Sequence, residues 1–123
     1  MDIPKSAVGA AIAILQPTNA NPATKAPKLF TSPFIRVSRA GGGMQNMVTD
    51  GATLLVECYA PDGVAAETLA NHARALLTDS RSNVFAGAFI RWWEETSGPV
   101  DFPDPGTEWS RYQFLGRLDV ATQ

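Results

Sequence analysis

A chain of 123 residues with 45% hydrophobic and 18% charged side chains is sized and composed for one globular core. Ten basic against twelve acidic residues leave a net charge of −2, which argues against a protein held on nucleic acid by phosphate contacts. The single cysteine, Cys58, has no internal disulfide partner and sits in a strand-like run, where it reads as a small buried apolar residue.

The first apolar run, Ala7–Leu15, is too short to span a bilayer and lacks the basic flank of a secretory signal. It reads as part of a short helix over residues 3–15, ended by Gln16-Pro17 because a residue before proline avoids the helical region. From Pro17 to Pro33, four prolines and no periodicity predict an extended connector lying over the surface. Residues 1–33 therefore form a helix and a connector, and residues 34–120 form the core of a single domain.

The core opens with a strand over Phe34–Arg39, in which Ile35 and Val37 share a face. A second strand over Ala52–Tyr59 places Leu54, Val56, Cys58 and Ala60 on one face, with Leu55, Glu57 and Tyr59 opposite. Between them lies "AGGGMQNMVTDG", residues 40–51. A phosphate-cradling loop would be followed by a Lys-Ser/Thr pair and a helix; here a strand follows, so the segment reads as a long mobile hairpin loop. Gly41, Gly42 and Gly43 make its backbone adaptable, and Met44 and Met47 place apolar side chains on it.

Asp62 stands where a helix N-cap belongs, and Ala65, Leu69, Ala73 and Leu76, flanked by Ala66 and Leu77, recur at helical spacing up to residues 78–80. Two further strands follow, over Ala88–Glu95 and through Tyr112, Phe114, Gly116, Leu118 and Val120. The intervening residues 97–110, with Pro99, Pro103 and Pro105, read as a stiff arm. The predicted order is helix, two strands, helix, two strands: an α+β fold with an antiparallel or mixed sheet, helices packed on one face, a long hairpin and proline-rich arms.

No catalytic constellation emerges. His72 is the only histidine and lies mid-helix without ligands at zinc spacing. Adjacent strand residues Glu94 and Glu95 point to opposite faces, and Asp101 and Asp104 sit among prolines, where acids are solvated or cap turns. The expectation is a non-enzyme with no catalytic residue, cofactor or metal. One of Trp92 and Trp93 must face away from the helices. Trp93, together with Pro103 and Trp109 of the arm and the glycine-methionine hairpin, is the expected contact set for a partner.

Five segments in order, "FIRVSRAGGG" (34–43), "NMVTDGATLLVECYA" (46–60), "AAETLANHARALL" (65–77), "SGPVDFPDP" (97–105) and "SRYQFLGRLDV" (110–120), resemble the tail terminator proteins of long-tailed bacteriophages. The likeness is strongest to the short actinobacteriophage members. Residues before Phe34 depart from the pattern, in which a longer N-terminal helix and a further strand are common. The resemblance implies a virion protein of the tail's neck region, assembled in the host cytoplasm as a homo-oligomeric ring, usually a hexamer. Such a ring caps the tail tube protein, stops its polymerisation and offers a surface to head-completion proteins. Genomic DNA passes through the lumen without specific binding, and no membrane is involved. A head-closure or other head-to-tail connector component is the alternative within the same region.

Overall fold

The computed structural model describes residues 3–122. Helix α1 (Ala7–Ile14) starts where Ser6 accepts a hydrogen bond from the Gly9 amide at 3.0 Å. It is shorter than the run 3–15, and a 3₁₀ turn over Gln16–Thr18 takes up Pro17. Strands β1 (Phe34–Asn46) and β2 (Thr49–Ala60) lead to helix α2 (Gly63–Asp79). A two-residue strand β3 (Val84–Phe85), then β4 (Ala88–Asp101) and β5 (Ser110–Ala121), complete the chain. All strand pairs are antiparallel, in the order β1-β2-β5-β4-β3, and both helices lie on one face, so the α+β expectation holds.

Alternation in the central strands decides which face is covered. Ala52, Leu54, Val56, Cys58 and Ala60 of β2 are buried, as are Phe114, Leu118 and Val120 of β5. They meet α2 through Ala66, Ala70, Ala73 and Leu77. The helix thus sits on a ridge of alanines, turned slightly from the expected stripe, with Leu69 and Leu76 on its flanks. Small side chains let the helix axis approach the sheet closely. Asp62 caps α2 by accepting from the Ala65 amide at 2.9 Å.

The connector is less detached than its prolines suggest. Ala23 forms a parallel bridge to Arg36, and the β1 amides of Ile35 and Val37 donate to the carbonyls of Ala20 (2.9 Å) and Ala23 (2.8 Å). The first part of the β1 edge, at Ile35 and Val37, is thereby satisfied.

Residues 40–51 are not an open loop. The β1–β2 ladder runs on through Gly41–Thr53, Gly42–Ala52, Gly43–Gly51 and Met44–Asp50, leaving a tight turn at Met47-Val48. A bulge between Arg39 and Gly41 makes this possible. Gly42 takes φ +85°, and a Cβ there would lie 2.1 Å from the Gly51 carbonyl oxygen, whereas a Cβ on Gly43 would meet nothing within 4 Å. Glycine is therefore required at Gly42 and free to change at Gly43. Gly42→Ala is expected to lower stability by at least about 1–3 kcal/mol, the usual cost of a forced backbone conformation. Gly43→Ala should stay within about 0.5 kcal/mol of the parent. Thermal unfolding of the two variants separates them, and equal midpoints would contradict the bulge.

The arm is also shorter than expected, because β4 continues to Asp101 and only residues 102–109 are irregular.

Candidate functional site

The residues with reactive side chains are placed apart. His72 is exposed on α2, and Cys58 is fully buried, where desolvation pushes its thiol pKa up. Among the described residues no group of three or more His, Cys, Asp and Glu could hold a metal. Among them, too, no helix is long and apolar enough to cross a membrane. A groove of about 720 Å³ runs between α2 and β4, and the buried Nε of Arg81 in its lining has no hydrogen-bond partner. Arg74 pairs with Glu95 and Asn71, and Arg81 donates to the Trp93 carbonyl at 2.7 Å.

Two organised regions stand at opposite ends of the strands, the first on the helix-free face of the sheet and the second on the face that carries α1. At one end, Glu57 is buried and accepts from Arg36 at 2.8 Å and Arg111 at 3.1 Å. Arg111 also donates to the Tyr59 hydroxyl (3.0 Å) and the Phe102 carbonyl (2.8 Å), and the Tyr59 hydroxyl donates to Asp104 at 3.1 Å. Asp104 accepts from the Gly106 amide as well, which, ahead of Tyr59 and Arg111, holds its carboxyl below the ordinary range. Burial pushes the Tyr59 phenol up against the opposing pull of Arg111. Phe34 stacks on Tyr59 with ring centroids 4.4 Å apart, and Phe30 of the connector meets Phe34, Tyr59 and Trp109. Connector and arm are thus clamped onto one end of the sheet by aromatic packing and a shared guanidinium.

At the other end stands the β1–β2 hairpin. Its base is fixed by Arg39, which donates through both terminal nitrogens to Asp50 at 2.8 and 2.9 Å. The guanidinium's hydrogen bonds hold the Asp50 carboxyl below the ordinary range despite its burial. Beyond them the Thr122 amide donates to the Val48 carbonyl at 3.0 Å, and the Val48 amide to the Asn46 side chain at 2.9 Å. Met44, Met47 and Val48 are exposed on this braced tip.

The expected contact residues accordingly divide. Gly41, Gly42, Gly43, Met44 and Met47 lie in the hairpin at one end, while Pro103 is exposed and Trp109 half-buried in the arm at the other. Trp93 is corrected: its side chain is 1% exposed and packs edge-on to Phe114 in the core. A bulge between Ile90 and Trp92 breaks the alternation of β4, so Trp93 follows Ile90 inward and Trp92 turns out. Trp92 is 42% exposed, with the Arg81 guanidinium 3.6 Å above its ring. Val84, Val100 and Phe102 are further exposed apolar residues that the strand pattern did not single out. The alternation of 110–120 puts Arg111 on the face away from the helices, the same face on which the second strand carries Glu57 and Tyr59.

No protein-family model matches the sequence, and no curated protein matches it. Among solved structures, the chain is similar to one in the virion of the native gene transfer agent (GTA) particle, with a TM-score of 0.67. Identity is 12%, and the superposition covers 95% of this chain and 99% of that one. At that identity the likeness is one of fold, and the two chains share it over almost their whole lengths.

Proposed function

We propose that this protein is a non-enzymatic structural component of a phage-like virion, and within it the tail terminator. The carrying observation is the end-to-end fold likeness to a chain of a gene transfer agent virion. The five segments that resemble tail terminators narrow the reading to that role. On this reading the chain forms a ring, seats on the last ring of tube protein and turns a second face to the head-completion proteins.

The physical requirement is a contact that ends a polymer. Tube subunits add through one repeating head-to-tail contact, which continues until a bound chain offers no matching surface. A rigid body with different surfaces at its two ends suits this task. Here the clamped arm and connector occupy one end of the sheet and the hairpin the other. A net charge of −2 gives a DNA-lined lumen no strong electrostatic adhesion.

The test is electron microscopy of tube subunits polymerised with and without the purified chain. Tubes capped at one end and arrested in length are expected with it, and overlong tubes without it. Particles lacking the protein should accumulate as filled heads beside headless tubes of irregular length. Normal tails joined to heads in its absence would overturn the terminator role, and binding to head-completion rings alone would move the protein to another neck position.

A further inference from the structure

At the arm end, the strand register lays a single row across the whole sheet. Val100 pairs with Gln113, Gln113 with Glu57 and Glu57 with Arg36, and Arg36 bridges to Ala23 of the connector. Each end of that row carries exposed apolar groups. At the β4 end, Val100 and Phe102 are 48% and 50% exposed, beside the exposed Asp101 and Pro103. At the connector end, Asn21, Lys25, Pro27, Leu29, Thr31 and Phe34 line a hollow of about 270 Å³, and Leu29 is 76% exposed. Val100, opposite Gln113, and Phe34, opposite Tyr59, both belong to the helix-free side, so the two ends lie toward the same face.

The two flanks of the sheet carry opposite charge. Residues 3–48 hold five basic side chains, Lys5, Lys25, Lys28, Arg36 and Arg39, and no acidic one. Residues 92–110 hold five acidic ones, Glu94, Glu95, Asp101, Asp104 and Glu108, and no basic one. Among the described residues, Lys25 and Lys28 at the hollow and Asp101 beside Phe102 form no ion pair. Asp104 is turned inward to Tyr59 and the Gly106 amide, and Glu108 adjoins Trp109, the arm residue that meets Phe30. Arg111, whose guanidinium lies 5.1 Å from the Phe102 ring centroid, is 13% exposed and already holds Glu57. The remaining unpaired cations stand elsewhere: Lys5 at the hairpin end, and Arg81 and Arg91 at the far end of β4, where Trp92 pairs with Asp119.

From this we infer that Phe102 of one copy inserts its ring into the connector hollow of the next copy, with Asp101 between Lys25 and Lys28. The hollow is larger than the roughly 150 Å³ that accommodates a benzene ring. Opposite charges at its rim set the register and turn away a second connector. The Phe102 carbonyl is already held by Arg111 at 2.8 Å and the connector is bonded to β1, so docking orders little backbone. The two surfaces differ and sit at opposite ends of one row, so the contact is head-to-tail, and each copy keeps one of each for its neighbours. The contact rests on the ring reading above and supplies its subunit interface.

A charge exchange tests it in the full-length chain. Asp101→Lys copies, and copies with both Lys25→Glu and Lys28→Glu, should each self-associate at least about tenfold more weakly than the parent in sedimentation equilibrium, equivalent to about 1.4 kcal/mol. Mixed in equal amounts they should associate again, because every contact between unlike copies then joins opposite charges. A misfolded variant would not recover in this way. Phe102→Ala should weaken association by a similar factor. Undiminished association of either charge variant, or no recovery in the mixture, would overturn the contact. A benzophenone maleimide on Thr31→Cys should photo-link copies to one another, since Cys58 is fully buried and takes no label. Linkage to tube protein alone would give the hollow to that partner and overturn the contact too. Tube capping reports on the terminator role independently: capping with undiminished charge variants sinks only the contact, and recovery in the mixture without capping sinks only the role.

Discussion

Trp93→Ala is expected to remove about 3–5 kcal/mol of stability, the usual cost of truncating a large buried aromatic side chain. That is a large share of the roughly 5–15 kcal/mol by which a small domain is stable. Trp93 is 1% exposed, and its indole lies over Gly116, where a Cβ would come within 2.2 Å of the ring. No neighbour can collapse into the space without moving two strands. Trp92→Ala, one residue away and 42% exposed, should cost less than about 1 kcal/mol. Urea unfolding of both variants measures the contrast. Equal losses would mean that the bulge before Trp92 does not turn the second tryptophan inward.

Removing the guanidinium of Arg111 should be nearly as damaging, for an electrostatic reason. Arg111→Met leaves the buried Glu57 carboxylate with Arg36 alone and frees the backbone of the arm at Phe102. Breaking a buried pair from one side costs about 3–5 kcal/mol, and the lower figure is expected because Arg36 still holds one oxygen. The arm, residues 102–109, should also become the first site of proteolytic cleavage. Arg36→Met is the control: its side chain is 41% exposed against 13% for Arg111, and exposed pairs contribute at most about 1 kcal/mol. If the two variants unfolded alike and the arm stayed resistant, Arg111 would not be the clamp.

Much of the fold was legible because its central elements obey simple periods. In β2 and β5 every second residue is apolar, and a strand between two others has only one face to offer the helices. The Asp62 cap and the small-residue spacing of α2 marked a helix whose ends are fixed locally. Those features depend on residues a few positions apart, so the order of side chains determines them unaided.

What the tertiary structure decided lies where period or proximity fails. Glycines 41–43 carry no side chains to alternate, so their pairing with residues 51–53 shows only once β2 lies beside them and the bulge sets the register. The bulge in β4 reverses the two tryptophans, and nothing in the local order announces a single extra residue. Arg36, Glu57, Tyr59, Asp104 and Arg111 come from four separate parts of the chain, and only the sheet register and the returning arm bring them within hydrogen-bonding distance.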